Sequence, residues 1–163
     1  MSNNLQNYLI CRFIPFENFP IHWERAKLRD TFMIGRERWQ PTDRTEEENY
    51  VGLENIESGT GRLVNFKPTL ANQIRSTKTK FTSTDLLYGK LRPYLNKVLA
   101  PAFDGICSTD IAVIKPKPII DRVLRSEYIL YNISKLTYGT KMPRMKISDL
   151  EQLSVPLPSK IEQ

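Results

Sequence analysis

TDLLYGKLRPYLNKVLAPAFDGICSTDIAVIK, residues 84–115, is the stretch on which the fold turns. Three short runs within it, 86–91, 98–103 and 106–115, are rich in residues that suit a pleated, half-buried surface. Asp104-Gly105 lies between the last two runs. Both residues tolerate a left-handed backbone, so a hairpin is expected there. Pro116 and Pro118 lack the amide that a ladder needs and end the pairing. Strands joined by turns rather than by helices point to antiparallel neighbours.

On the C-terminal side a helix is expected from Asp121 to Leu136. Asp121 caps its first turn, and Val123, Leu124, Tyr128, Tyr131 and Leu136 supply an apolar face. Ser148 and Glu151 have the spacing of a capping box, which predicts a second, short helix before an extended segment at 153–158. On the N-terminal side, Tyr50-Val51-Gly52-Leu53 and residues 62–66 read as strands joined by Ser58-Gly59-Thr60-Gly61. Residues 35–49 (GRERWQPTDRTEEEN) are very polar, are broken by Pro41, and read as a long solvated loop. Residues 23–34 read as a strand running into a helical turn. Phe13, Phe16 and Phe19 alternate with Pro15 and Pro20 in an irregular lead-in. The class is α+β, mixed, with mostly antiparallel strands and a few packed helices.

The 163 residues, 40% hydrophobic and 26% charged, suit one globular domain with a real core. No apolar run approaches the ~20 residues that cross a bilayer. Met1-Ser2-Asn3-Asn4 has no basic flank before an apolar stretch, so a cytoplasmic protein is expected. Cys11 and Cys107 read as buried free thiols rather than a disulfide. The net charge is +6, and it is unevenly spread: residues 1–71 balance to −1 and residues 72–163 to +7. Arg75, Lys78, Lys80, Lys90, Arg92 and Lys97 face one acid, Asp85, and residues 135–146 carry four cations and no acid. A field of one sign suits a polyanion.

Catalytic patterns are missing. His22, the sole histidine, has no nearby nucleophile or carboxylate, and a structural role is expected for it. Ser58-Gly59-Thr60-Gly61 is too short for a phosphate loop and lacks its lysine. Asp110 stands alone before an apolar run, where a metal-dependent nuclease needs a second carboxylate. Two cysteines and one histidine fall short of a zinc site. No catalytic residue, metal or cofactor is therefore expected.

Two blocks carry a family resemblance. Thr84-Asp85-Leu86-Leu87-Tyr88-Gly89-Lys90-Leu91-Arg92-Pro93-Tyr94-Leu95-Asn96-Lys97, with Gly105-Ile106-Cys107-Ser108-Thr109, resembles the central block of type I restriction-modification specificity subunits. Gly139-Thr140-Lys141-Met142-Pro143-Arg144-Met145, then Leu150 and Val155-Pro156-Leu157-Pro158 with Glu162-Gln163, resembles the block that closes each recognition domain there. Trp23 and Leu28 resemble the entry segment. The resemblance implies a lead-in at 1–22, a target recognition domain at 23–158, and the start of a truncated spacer helix at 159–163. In that family a subunit normally holds two recognition domains, each followed by a long helix and each reading one half of a split DNA site. One domain here implies a truncated piece or a half-length subunit, the latter self-associating. The implied partners are double-stranded DNA, the methyltransferase subunit and, through the complex, the restriction subunit.

Within these blocks, period-2 spacing puts Lys90 and Arg92 on one face, within reach of phosphates or a guanine edge, with Pro93 holding Arg92 extended. Tyr94, Lys97, Lys78 and Lys80 belong to the same positive field. The alternative is that the tyrosines are core and the cations plain surface. Lys141, Arg144 and Lys146 would position the backbone. Ser108 and Thr109 would either bond a phosphate or satisfy a strand end. Arg36, Arg38, Gln40 and Arg44 have side chains that recognise guanine and adenine, although Glu46-Glu47-Glu48 beside them repels phosphate. Three other readings stay open: an RNA- or single-strand-binding module, an enzyme with an unrecognised site, and the recognition domain of a fused restriction-methylation enzyme.

Overall fold

The computed structural model of the chain describes residues 24–116, 123–139 and 141–157. The lead-in at 1–22, Cys11, His22, Trp23, Asp121 and the segment 159–163 lie outside the described residues. Two four-stranded sheets and a helical layer account for the core. The inner sheet has the order β2 (Phe32–Gly35), β11 (Ile111–Pro116), β8 (Leu86–Gly89), β9 (Val98–Leu99), all antiparallel. The outer sheet has the order β3 (Arg38–Trp39), β7 (Lys78–Phe81), β10 (Gly105–Cys107), β5 (Tyr50–Val51), of which only the last pair is parallel. β4 (Glu47–Glu48) pairs with β6 (Thr69–Leu70) beside it. β1 (Glu24–Lys27) pairs antiparallel with β12 (Ser154–Leu157), Glu24 opposite Leu157.

Strand alternation sorts the core into layers. From β8 and β11, Leu86, Tyr88, Ala112 and Ile114 face the helices, meeting Leu124, Ile129, Ile133 and Leu150. From the same strands, Leu87, Ile111 and Val113 face the outer sheet, meeting Val51, Phe81 and Cys107. Both faces of the inner sheet are thus buried, each large apolar side chain contributing ~1.5–3 kcal/mol. Beyond the outer sheet, Trp39, Ala71, Ile74 and Ile106 form a third, smaller cluster.

The helices are α1 (Glu127–Lys135) and α2 (Ile147–Gln152). The expected helix over 121–136 is interrupted, because Ser126 is extended and its hydroxyl accepts from the Ile129 amide, starting α1 afresh. The expected cap at Ser148 also moves. α2 begins two residues earlier than that cap implies, at Ile147, flanked by Lys146, and no side chain caps it.

Four strand expectations are corrected as well. Residues 35–49 are not a plain loop, since β3 and β4 lie within it and Trp39 is buried, its indole N–H donating to Glu48 Oε1 at 3.1 Å. Residues 62–66 form no strand, only the single bridge between Ile56 and Leu63. Asp104-Gly105 makes no hairpin: β9 returns to β8, while β10 joins β7 and β5. Asp104 Oδ1 instead accepts from the Ser83 amide at 2.7 Å. Gly105 is needed for close approach, as a Cβ there would stand 2.3 Å from the Asn49 carbonyl. The run at 106–115 is two strands, because Ser108-Thr109-Asp110 turns the chain, the Ile111 amide donating to the Ser108 carbonyl at 3.0 Å.

Candidate nucleic-acid interface

The turn at 108–110 marks one end of both sheets. Lys90 follows β8 there, and its amide donates to the Asp110 carbonyl at 2.8 Å. The chain then meets a distant segment: Leu91 bridges Arg144, the Met145 amide donates to the Lys90 carbonyl at 3.0 Å, and the Arg92 amide donates to the Pro143 carbonyl at 2.7 Å. The two family-like blocks are therefore stitched together at this rim. Arg92 is not extended, contrary to expectation. It is left-handed, with φ 49° and ψ 57°, held by that bond and by a 3-10 turn over Pro93–Leu95 that closes on its carbonyl. Lys90 and Arg92 consequently do not lie on one regular strand.

Around Lys90 the polar side chains of the strand ends gather. Arg38 of β3 donates to Thr79 Oγ1 at 3.0 Å, and Arg144 pairs with Asp110 at 3.2 Å. Lys90 is half-buried. Burial lowers its ammonium pKa from the ordinary value, Asp110 pulls the other way, and Arg38 and Arg144 add to the lowering. Buried Cys107 behind them is pushed up to about 12, chiefly by desolvation. On the other face of β7, Lys78 Nζ sits 5.1 Å above the Tyr50 ring and donates to Ser76 Oγ at 2.7 Å. The Tyr50 hydroxyl is bonded to Ser108, and burial nevertheless raises its pKa. Gln40 accepts from Thr77 Oγ1 at 2.9 Å at the same end, and Thr109 is exposed on the turn.

An adjoining surface comes from the 3-10 turn and the loop after α1. Tyr94, Tyr138 and Met142 are exposed there, with Arg92 and Lys141, and Lys146 Nζ lies 5.3 Å from the Tyr138 ring. Tyr88, by contrast, is core. Other expected residues are engaged elsewhere. The Lys97 ammonium donates to the Leu53 carbonyl at 2.7 Å, and Lys80 pairs with Glu37 at 2.8 Å, which lowers the Glu37 carboxyl pKa. Arg36 and Arg44 are exposed on the connections flanking β3. Sequence reasoning missed Tyr50 and the positioning role of Asp110. Only the turn composition Ser108-Thr109-Asp110 pointed toward the second.

The type I restriction modification DNA specificity domain model matches residues 20–163. The chain belongs to that family. The specificity subunit of the Escherichia coli type I restriction enzyme EcoDI is 34% identical over 113 residues, 66% of this chain but 25% of that protein. Among solved structures, a chain from work on complex assembly and conformational transition of the type I R-M system superposes with a TM-score of 0.73 at 27% identity. It aligns with 89% of this chain and 40% of its own length. The HsdS subunit of Thermoanaerobacter tengcongensis gives 0.71 at 26%, over 86% of this chain and 39% of its own. The specificity domain thus spans a quarter to two fifths of these relatives. Its α+β, mostly antiparallel architecture is theirs. Among the described residues no helix is long and apolar enough to cross a membrane, and no three potential metal ligands cluster.

Proposed function

We propose that this chain grips double-stranded DNA at the sheet end around Lys90 and reads one half of a bipartite target. In a type I system it directs the methyltransferase and restriction subunits there, acting in the cytoplasm as a recognition element without chemistry of its own. The recognition unit runs over 23–158. The observation that carries this is the Leu91–Arg144 bridge, which joins Arg144 to the strand end at Lys90, beside the β3–β7 pairing that brings Arg38 and, on its opposite face, Lys78 to the same end. A positively charged rim offset by a single half-buried carboxylate matches the phosphate backbone. Arg92, Tyr94, Lys141 and Lys146 extend that rim, and Gln40, Ser108 and Thr109 supply its neutral hydrogen-bonding groups. Arg36 and Arg44 flank it, while Lys80 and Lys97 are left to their intramolecular partners.

The test is duplex binding by fluorescence anisotropy across a salt series. Alanine at Arg38, Lys78, Lys90 and Arg144 together should weaken every duplex and flatten the salt slope by roughly three to four units, at ~0.9 per phosphate contact. A folded quadruple variant that binds duplex like the wild type would sink the proposed face. Tighter binding to single strands than to duplex would point instead to a single-strand module. Methylated or cleaved product from this chain alone, given a methyl donor or magnesium, would overturn the non-catalytic role.

A further inference from the structure

The outer face of the outer sheet carries a depression of about 540 Å³. That volume lies within the ~300–1,000 Å³ of small-molecule clefts, but such clefts are mostly apolar. Here the walls include Glu54, Asn65, Lys67, Gln73, Arg75 and Lys78. Local structure fixes two of them. Ala71 and Ile74 are buried with Trp39 and Ile106, anchoring the 3-10 turn Ala71–Gln73, so Gln73 and Arg75 stand exposed on either side of Ile74. Among the described residues, the side chains of Lys67, Gln73 and Arg75 have no hydrogen-bond or ion-pair partner. Lys80, Arg62 and Arg144 each have a carboxylate.

We infer that this depression reads the base edges of duplex DNA, with Arg75 and Gln73 as specificity-determining residues, while the rim around Lys90 holds the backbone. Three observations carry it. Guanidinium and amide are the groups that bond guanine and adenine edges in pairs of hydrogen bonds. Glu54 in the wall disfavours phosphate, yet its carboxylate accepts from a cytosine amino group. Lys78 and Tyr50 line the depression, and the Tyr50 hydroxyl is bonded to Ser108 of the turn at the rim, so the depression adjoins the rim from the opposite face of β7.

The inference rests on the duplex-binding role, and its test separates the two. A preferred sequence is selected from a random duplex library with this chain. Wild type, Arg75→Lys and Gln73→Ala are then titrated with the selected and a scrambled duplex. Arg75→Lys keeps the charge but loses the two-pronged fork. It should keep wild-type affinity and salt slope on the scrambled duplex, and lose on the order of tenfold in discrimination at one base pair. Gln73→Ala should lose discrimination at a neighbouring pair. Both side chains are exposed, so folding is unaffected. If alanine at Lys90 and Arg144 abolishes duplex binding while both depression variants keep the wild-type preference, this inference alone falls. A uniform loss on both duplexes makes the depression a phosphate grip and also overturns it. No duplex binding by the wild type removes the role itself, and this with it.

Discussion

Lys90 shows how one residue's surroundings turn into a measurable property. Its half-buried ammonium faces Asp110, Cys107, Arg38 and Arg144, and burial is the largest influence, favouring the neutral amine. In free protein it therefore loses its proton below the ordinary 10.5. A phosphate alongside favours the ammonium, so binding takes up a proton once the pH passes the free-state value. Duplex affinity should fall as pH rises from that value toward 10.5, and Lys90→Arg, which cannot lose its charge, should remove this alkaline decline. Lys90→Ala should instead lower affinity at pH values where the wild-type ammonium is charged and reduce the salt slope there by about one unit. An alkaline decline that persists unchanged in Lys90→Arg would show that another group titrates. The sequence marked Lys90 and Arg144 as basic positions in family-like blocks. It did not mark their meeting, because the Leu91–Arg144 bridge joins residues more than fifty positions apart and depends on tertiary packing. It misjudged Arg92 for the same reason, the local bias before proline being overridden by the bond to Pro143.

At the scale of elements, the turn 58–61 carries a sharp contrast between two glycines. Both are left-handed, Gly59 at φ 74° and Gly61 at φ 67°. A Cβ at Gly59 would meet nothing within 4 Å, whereas one at Gly61 would stand 1.8 Å from the Val98 carbonyl oxygen. Gly59→Ala should cost ~1–2 kcal/mol, the left-handed penalty alone. Gly61→Ala should cost ~2–5 kcal/mol, as β9 must also shift. Chemical denaturation of the two variants checks this, and equal midpoints would refute it. Elements with strong internal patterns were legible in the sequence: β8, β11, the heart of α1 and the extended β12. Of the short outer strands β5 was legible from Tyr50-Val51, but β3 and β4 were not. β3 and β4 hold two residues each, carry arginine or glutamate, and depend on tertiary packing, Trp39 being buried with Ala71, Ile74 and Ile106. Asp104-Gly105 misled because its residues serve a side-chain cap and a close approach, which have the same composition as a turn.

Across the whole molecule, stability should be graded outward. The inner sheet is buried on both faces, with Leu87 and Ile114 fully enclosed, while the far face of the outer sheet carries only a small distal cluster. Leu87→Ala should cost ~2–5 kcal/mol of global stability. Native-state hydrogen exchange should show the amides of β3 opening at lower free energy than those of β8 and β11. Identical opening energies in all three strands would mean the layers unfold as one. The pairing of β1 with β12 has a different consequence. It sets the polypeptide's way in beside its way out, with Glu24 directly across from Leu157. A domain threaded like that makes no demand on the span between its neighbours. Grafted into a longer polypeptide through those two adjacent strands, it should therefore fold with little change in the spacing of whatever flanks it.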